Sequence, residues 1–165
     1  MKIYQSGWAT ILMIDKIIEL VEIFNKHNVK YLFIGKGAAT LYGYPGTTQD
    51  IVIFPKNSEE NCSNLIRALK ELEFDVDDKL EEAIREGKDF IQIRFGPFPL
   101  DIVFAPNGIE SFDEAQKRSE IIDGRFPCAS IDDIIASKRA AKRQRDKEEL
   151  PRLEAFRDEL KRRKN

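Results

Sequence analysis

Apolar residues recur at Ile14, Ile17, Ile18, Val21 and Phe24, the i, i+3, i+4, i+7, i+10 spacing of an amphipathic helix over residues 14–27. The pattern then changes. "VKYLFI" at 29–34 is a continuous apolar, aromatic-rich run that stops at "GKG", which predicts a buried strand opening through a glycine turn. "AATLYG" reads as a short helix closed by Gly43. After "GYPGTT" a second strand runs from Asp50 to Phe54 and ends at Pro55. Asn57 or Ser58 caps the next helix, whose "NLIRALKELEF" has the 3.6-residue period.

The runs "DFIQIRF" and "PLDIVFA" flank "GPFP" and predict a hairpin over residues 89–104. "SFDEAQKRS" reads as a helix and "IIDGRFPCA" as one more short extended piece. Ser130, with Asp133 at the capping-box spacing, opens a continuous helix over "SIDDIIASKRAAKRQRD". Pro151, suited to a first helical turn, opens a last one. The expected architecture is α/β or α+β: a small mixed sheet flanked by helices in residues 1–129, followed by a C-terminal helical pair in 130–165.

At 165 residues, 42% apolar and 34% charged, the chain has the composition of a globular domain. The longest apolar stretch, "WATILMIDKIIELVEIF", is broken by Asp15, Lys16, Glu19 and Glu22 and has no small-residue cleavage site. It therefore reads as a core-facing helix and not as a membrane span or signal peptide, and the expected location is the cytoplasm. One histidine, His27, and two distant cysteines, Cys62 and Cys128, exclude the usual zinc ligand sets. The cysteines are read as small buried apolar residues, and His27 as a helix C-terminal residue with no catalytic part.

The net charge of −2 conceals an asymmetry: Lys138 to Asn165 holds 12 Lys and Arg against 6 Asp and Glu. A basic tail can bind phosphates. Interspersed acids make a solvated helix face with i,i+4 pairs an equal reading. Lys138, Lys142 and Arg145, at i, i+4 and i+7, would share one face of the predicted helix.

Chemistry enters with the glycine turn and two acids. A turn such as "GKG" entering a helix lets backbone N–H groups approach a phosphate, and carboxylates on neighbouring strands can converge on one divalent ion. Asp50 begins one strand, and Asp101 lies within another, where an acid is costly to bury without a partner. A strand places i and i+2 on one face, so a second metal-binding acid on the first strand would stand at position 52, which is Val52.

Together, "GKGAATLYGYPGTTQDIVIF", "PLDIVFAP" and "IDDIIASKRAAKRQRDKEELPRL" resemble the nucleotidyltransferase fold of the DNA polymerase beta superfamily. The likeness is strongest to small bacterial nucleotidyltransferases of the minimal and abortive-infection toxin type, and covers residues 15–156. In that family a strand ends in two small residues, an alanine-rich helix runs to His-Gly or Tyr-Gly, and Arg-x-Thr-x-Asp-x-Asp follows. A third acid comes from a later strand, and a Lys-containing helix leads to Arg-x-x-Asp. By this resemblance Gly35 matches the first glycine, Thr48 the threonine, Asp50 the first metal-binding acid and Asp101 the third, while Lys138 and Asp146 match the tail. Lys36 replaces the second small residue, Gly46 the arginine and Val52 the second acid.

The resemblance implies a nucleoside triphosphate bound by Gly35, Lys36, Gly37, Thr48 and Lys138, with Mg²⁺ held by Asp50 and Asp101, which would be the catalytic residues. Mg²⁺ can bind through one or two protein carboxylates when substrate phosphates complete its shell, so a single ion is compatible with Val52. Lys36 is open to two readings: an ammonium that neutralises triphosphate charge, or a long side chain filling the space the phosphates need. The implied activity is transfer of a nucleoside monophosphate to a hydroxyl of RNA, protein or a small molecule. The alternatives are an inactive module of the same fold binding nucleotide, RNA or a partner protein, as in a toxin–antitoxin-like system, and a chain altered at its site.

Overall fold

The computed structural model describes residues 8–46 and 50–164. Its elements are α1 (Trp8–Lys26), β1 (Tyr31–Ile34), α2 (Gly35–Tyr42), β2 (Ile51–Pro55), α3 (Glu59–Glu71), α4 (Asp78–Glu86), β3 (Phe90–Ile93), β4 (Leu100–Val103), α5 (Phe112–Arg118), β5 (Glu120–Ile122), β6 (Phe126–Cys128), α6 (Ile131–Ala141) and α7 (Gln144–Lys164). The six strands form one mixed sheet in the order β3-β4-β2-β1-β6-β5. β1 pairs antiparallel with β2 and parallel with β6, and β2 pairs parallel with β4. The expected α/β class with a small mixed sheet is what the chain adopts.

Position in the sheet follows apolar content. β1, apolar at every residue, is buried along its length near the centre, as a strand covered on both faces must be. β3 alternates exposed and buried residues at one edge. Ile51, Ile53, Ile91, Ile93, Leu100 and Ile102 turn one way into the core, where Phe24, Leu65 and Leu69 are also fully enclosed. Cys62 and Cys128 are buried free thiols. Ala38 and Ala39, with almost no exposed surface, let α2 pack closely beside β1, β2 and α6.

The caps behave as the sequence indicates. Ser58 accepts from the Asn61 N–H, Ser130 accepts from the Asp133 N–H, and Gly43 closes α2 in the left-handed conformation. His27 ends the first helix region and pairs with Glu71 at 3.0 Å.

Four features differ from the sequence reading. α4 is absent from the sequence reading, although Asp77 caps it by accepting from the Leu80 N–H, Gly87 ends it, and Leu80, Ala83 and Ile84 turn one face of an otherwise charged helix to the core. The piece at 121–129 is a complete hairpin, β5 and β6, turned by Asp123 and Gly124 at φ 53° and 71°.

The helix expected to run on from Ser130 stops at Ala141, because Lys142 is left-handed at φ 56°. Lys138 and Lys142 therefore do not continue one helical face with residue 145. Pro151 lies inside α7 and does not open it. Lacking an N–H, it leaves the Lys147 carbonyl without its i+4 donor, a loss set against Leu150, Leu153, Phe156 and Leu160, which that helix lays on the core.

One polar side chain ties the helical layer to the sheet. Asn61, 3% exposed, accepts from the Lys30 N–H at 2.7 Å and donates to the carbonyls of Lys30 and Lys56 at 2.9 and 2.8 Å. It holds the start of β1 beside the end of β2. Replacing Asn61 by Leu strips the Lys30 N–H of its partner, and the expected cost is about 1–3 kcal/mol, read as a lower denaturant midpoint with unchanged slope.

Candidate functional site

β1 runs straight into α2, and the junction is made by Gly35 at φ +77°, a conformation that other residues seldom adopt. Ile34, in the N-cap position, offers no side-chain acceptor to the first turn of α2. The helix end thus keeps donors and partial positive charge at the elbow. Gly35 and Lys36 line a cleft of about 750 Å³ between the sheet, α6 and the start of α7.

Strand register builds its floor. Ile34 opposes Val52, Val52 opposes Asp101, and Asp101 opposes Gln92, so one row crosses β1, β2, β4 and β3. Directly opposed residues share a face. Asp50, two residues before Val52, lies on that face as well, and both aspartates line the cleft.

Burial raises the pKa of Asp101, and the negative charge of Asp50 raises it further, while a hydrogen bond with Gln92 acts the other way. The two carboxylates therefore feel one another. Val52 adjoins both, beside Asp101 in the row and two residues along the chain from Asp50, with Cγ2 3.5 Å from where a Cβ on Gly35 would lie. It presents hydrocarbon at the elbow.

The opposite wall is a chain of ion pairs. Lys36 Nζ lies 3.2 Å from Glu149 Oε1, and the other Glu149 oxygen is 3.6 Å from Lys138 Nζ. Lys138 also meets the buried Asp146 at 3.2 Å, and Asp146 in turn accepts from Arg143 Nε at 3.0 Å. Both lysines that face the cleft are thus held by acids of α7. Lys36 also passes close to Gly46, its Cε 3.5 Å from the position a Cβ would take there.

The structure accordingly brings Gly35, Lys36, Asp50, Asp101 and Lys138 to one cleft. Gly37 is buried within α2 and is not part of the lining; its carbonyl accepts from the Thr40 hydroxyl. Thr48 lies outside the described residues. Glu149, Gln92 and Arg143 were not singled out in the sequence. Arg143 had a signal in its Arg-x-x-Asp spacing to Asp146. Glu149 and Gln92 enter only through helix placement and strand register.

The donor set discriminates between one metal ion and two. Asp50 and Asp101 offer hard oxygen ligands suited to a single Mg²⁺-like cation. A pair of ions needs bridging oxygen, which Val52 cannot supply, and among the described residues no group of three or more His, Cys, Asp or Glu is placed to hold a metal. Described lining residues contribute five carboxylates, of Asp50, Asp89, Asp101, Asp146 and Glu149, against the cations Lys36, Lys138 and Arg143. A polyphosphate entering such a cleft requires an accompanying cation.

No protein-family model matches the chain, and no curated protein matches it in sequence. Solved structures do. The solution structure of the antibiotic-resistance factor ANT(2'')-Ia, described as showing substrate-regulated conformation dynamics, superposes with a TM-score of 0.59 at 17% identity, over 94% of this chain and 93% of that one. The crystal structure of TM1012 from Thermotoga maritima, provisionally classed as a nucleotidyltransferase, gives 0.51 at 14% identity over 96% and 98%. The fold is nucleotidyltransferase-like over nearly the whole chain. No helix among the described residues is long and apolar enough to cross a membrane.

A carboxylate whose pKa is raised by folding favours the native state below the ordinary aspartate value of about 3.9 and loses that contribution as pH rises through the raised pKa. Asp101→Asn is therefore expected to raise the melting temperature at pH 7, a gain that shrinks as the pH falls through the raised pKa and is gone below about 3.9. Thermal unfolding at pH 3.5 and pH 7 measures the difference.

Proposed function

We propose that the cleft binds a nucleoside triphosphate with one divalent ion and performs slow nucleotidyl transfer to a hydroxyl of RNA, protein or a small molecule. The observation that carries this reading is the meeting of Asp50 and Asp101 on one sheet face beside the Gly35 elbow. Phosphoryl chemistry depends mainly on positioning and charge neutralisation, and these elements contribute to both.

In this reading Gly35 and the first turn of α2 receive the terminal phosphates, and Lys36 and Lys138 neutralise them. Asp50 and Asp101 would hold Mg²⁺, which supplies charge neutralisation at the transferring phosphate. Residues 130–165 act as a helical extension that closes the cleft. Lys36 takes the neutralising role in preference to the blocking one, because its ammonium is drawn aside to Glu149 at 3.2 Å, leaving the elbow itself to backbone.

Val52 favours a second reading, a module that binds nucleotide or a protein partner without turnover. Hydrocarbon at the elbow removes an oxygen ligand, and α7 acids already occupy the lysines.

Label transfer from an α-labelled triphosphate in Mg²⁺ or Mn²⁺ separates the two. The wild type is expected to transfer slowly, and Val52→Asp to be faster by at least about 100-fold, more than an outer-shell ligand partner contributes. A wild type and a Val52→Asp variant that both bind nucleotide and transfer nothing would leave the binding module. Glu149→Gln, which releases Lys36 and Lys138 from an acid, is expected to tighten triphosphate binding about two- to fivefold at low salt, with the gain lost in high salt; titration calorimetry at two ionic strengths reads it.

A further inference from the structure

We infer that Phe90 is a stacking platform for the nucleobase of the triphosphate, an inference that rests on the nucleotide-binding reading above and adds to it the part of the ligand the phosphate elbow cannot hold. Phe90, Phe95 and Ile121 are the large apolar side chains exposed among the described residues, and of these Phe90 alone lines the cleft. It is 57% exposed. An aromatic ring left in water on an edge strand contributes little to the core, and its place in the cleft is what distinguishes it from the other two.

Register fixes where the ring stands. Phe90 opposes Val103 and Gln92 opposes Asp101, so Phe90, Gln92, Asp101 and Val103 share the cleft-facing side of β3 and β4. Phe90 is the diagonal neighbour of Asp101, a separation of roughly 7–8 Å between such positions. That is the scale of one ribose between an α-phosphate and its base.

Across the sheet, the order β1, β2, β4, β3 puts the glycine elbow at one side, the two aspartates in the middle and Phe90 at the far edge. Strands about 4.8 Å apart make this lateral span roughly 14 Å, the reach of an extended nucleoside triphosphate. The cleft also changes character along this line. Ion pairs of Lys36 and Lys138 flank the elbow, whereas Val103 is paired with Phe90, and Ala105 and Pro106 line the cleft along with the polar Asp89 and Asn107. Cationic side chains at one end and an aromatic ring at the other match the two halves of a nucleotide.

Stacking uses the π-face that every base presents, so this platform binds all four nucleotides with only modest preference, purines ahead of pyrimidines. An acceptor bearing a planar ring has the same chemistry. The two sources differ in what they do to binding of the donor alone.

The test compares ATP with inorganic triphosphate, both with Mg²⁺, by titration calorimetry on the full chain. Phe90→Ala is expected to weaken ATP binding about tenfold and to leave inorganic triphosphate binding unchanged. Phe90→Trp is expected to keep ATP affinity and to show fluorescence quenching by ATP that inorganic triphosphate does not produce. Because Phe90 is largely exposed, its truncation leaves the fold intact, and an unchanged melting temperature verifies this.

Equal ATP affinity in the wild type and Phe90→Ala overturns the inference while leaving the proposed function standing; slower transfer with that equal affinity assigns the ring to the acceptor instead. Equal weakening of both ligands overturns it as an indirect effect. A wild type that binds inorganic triphosphate as tightly as ATP also overturns it, since no base subsite then exists. A wild type that binds neither removes the proposed function, and the platform with it.

Discussion

The parallel pairing of β2 with β4 is the constraint on which the cleft depends. It sets Val52 against Asp101 and thereby puts Asp50 on the same face, since side chains repeat every two residues along a strand. A slip of one residue would turn Asp101 into the core and Ile102 out to the cleft. The alternation of Leu100 and Ile102 with Asp101 and Val103 prevents that slip, because both isoleucine and leucine are fully buried in the observed register. The hydrophobic core thus positions the carboxylates, although neither carboxylate belongs to it.

The second organising feature is the closure of the cleft by α7. Leu153 is fully buried and Phe156 meets Tyr44 edge to face, which anchors that helix on apolar contact. Its acids then fall opposite the lysines of the elbow wall. Lys138, little exposed and held between Asp146 and Glu149, has a compensated charge where an isolated ammonium would be costly. The same arrangement sets a threshold for any anion, which must compete with carboxylates for Lys36 and Lys138.

Val52 shows that the fold and the ligand set at the cleft are separable requirements. Valine at the middle of β2 suits a strand and packs against the core, and it adds no negative charge beside Asp50 and Asp101. The elbow, the sheet order and the tail helices do not require an acid there. Structural likeness over nearly the full chain to ANT(2'')-Ia and TM1012, at identities below 20%, is a likeness of fold, which many different core sequences can build.

The amino-acid sequence by itself determined α1, β1, α3 and the hairpin of β3 and β4, the caps at Ser58, Ser130 and Gly43, and the identity of the acids, because these depend on neighbours within one or two turns. Gly35, Lys36, Asp50, Asp101 and Lys138 were legible as a group only through their order along the chain. Tertiary structure alone decided the break at Lys142, since "AAKRQRD" is locally helical and the turn there serves the packing of α7 on the core. It also decided the pairing of Glu149 with Lys36, 113 positions apart in sequence, and the placement of Phe90 beside Asp101. Such contacts are set by strand register and helix docking, which sum many weak contributions from across the chain and leave no local pattern to read.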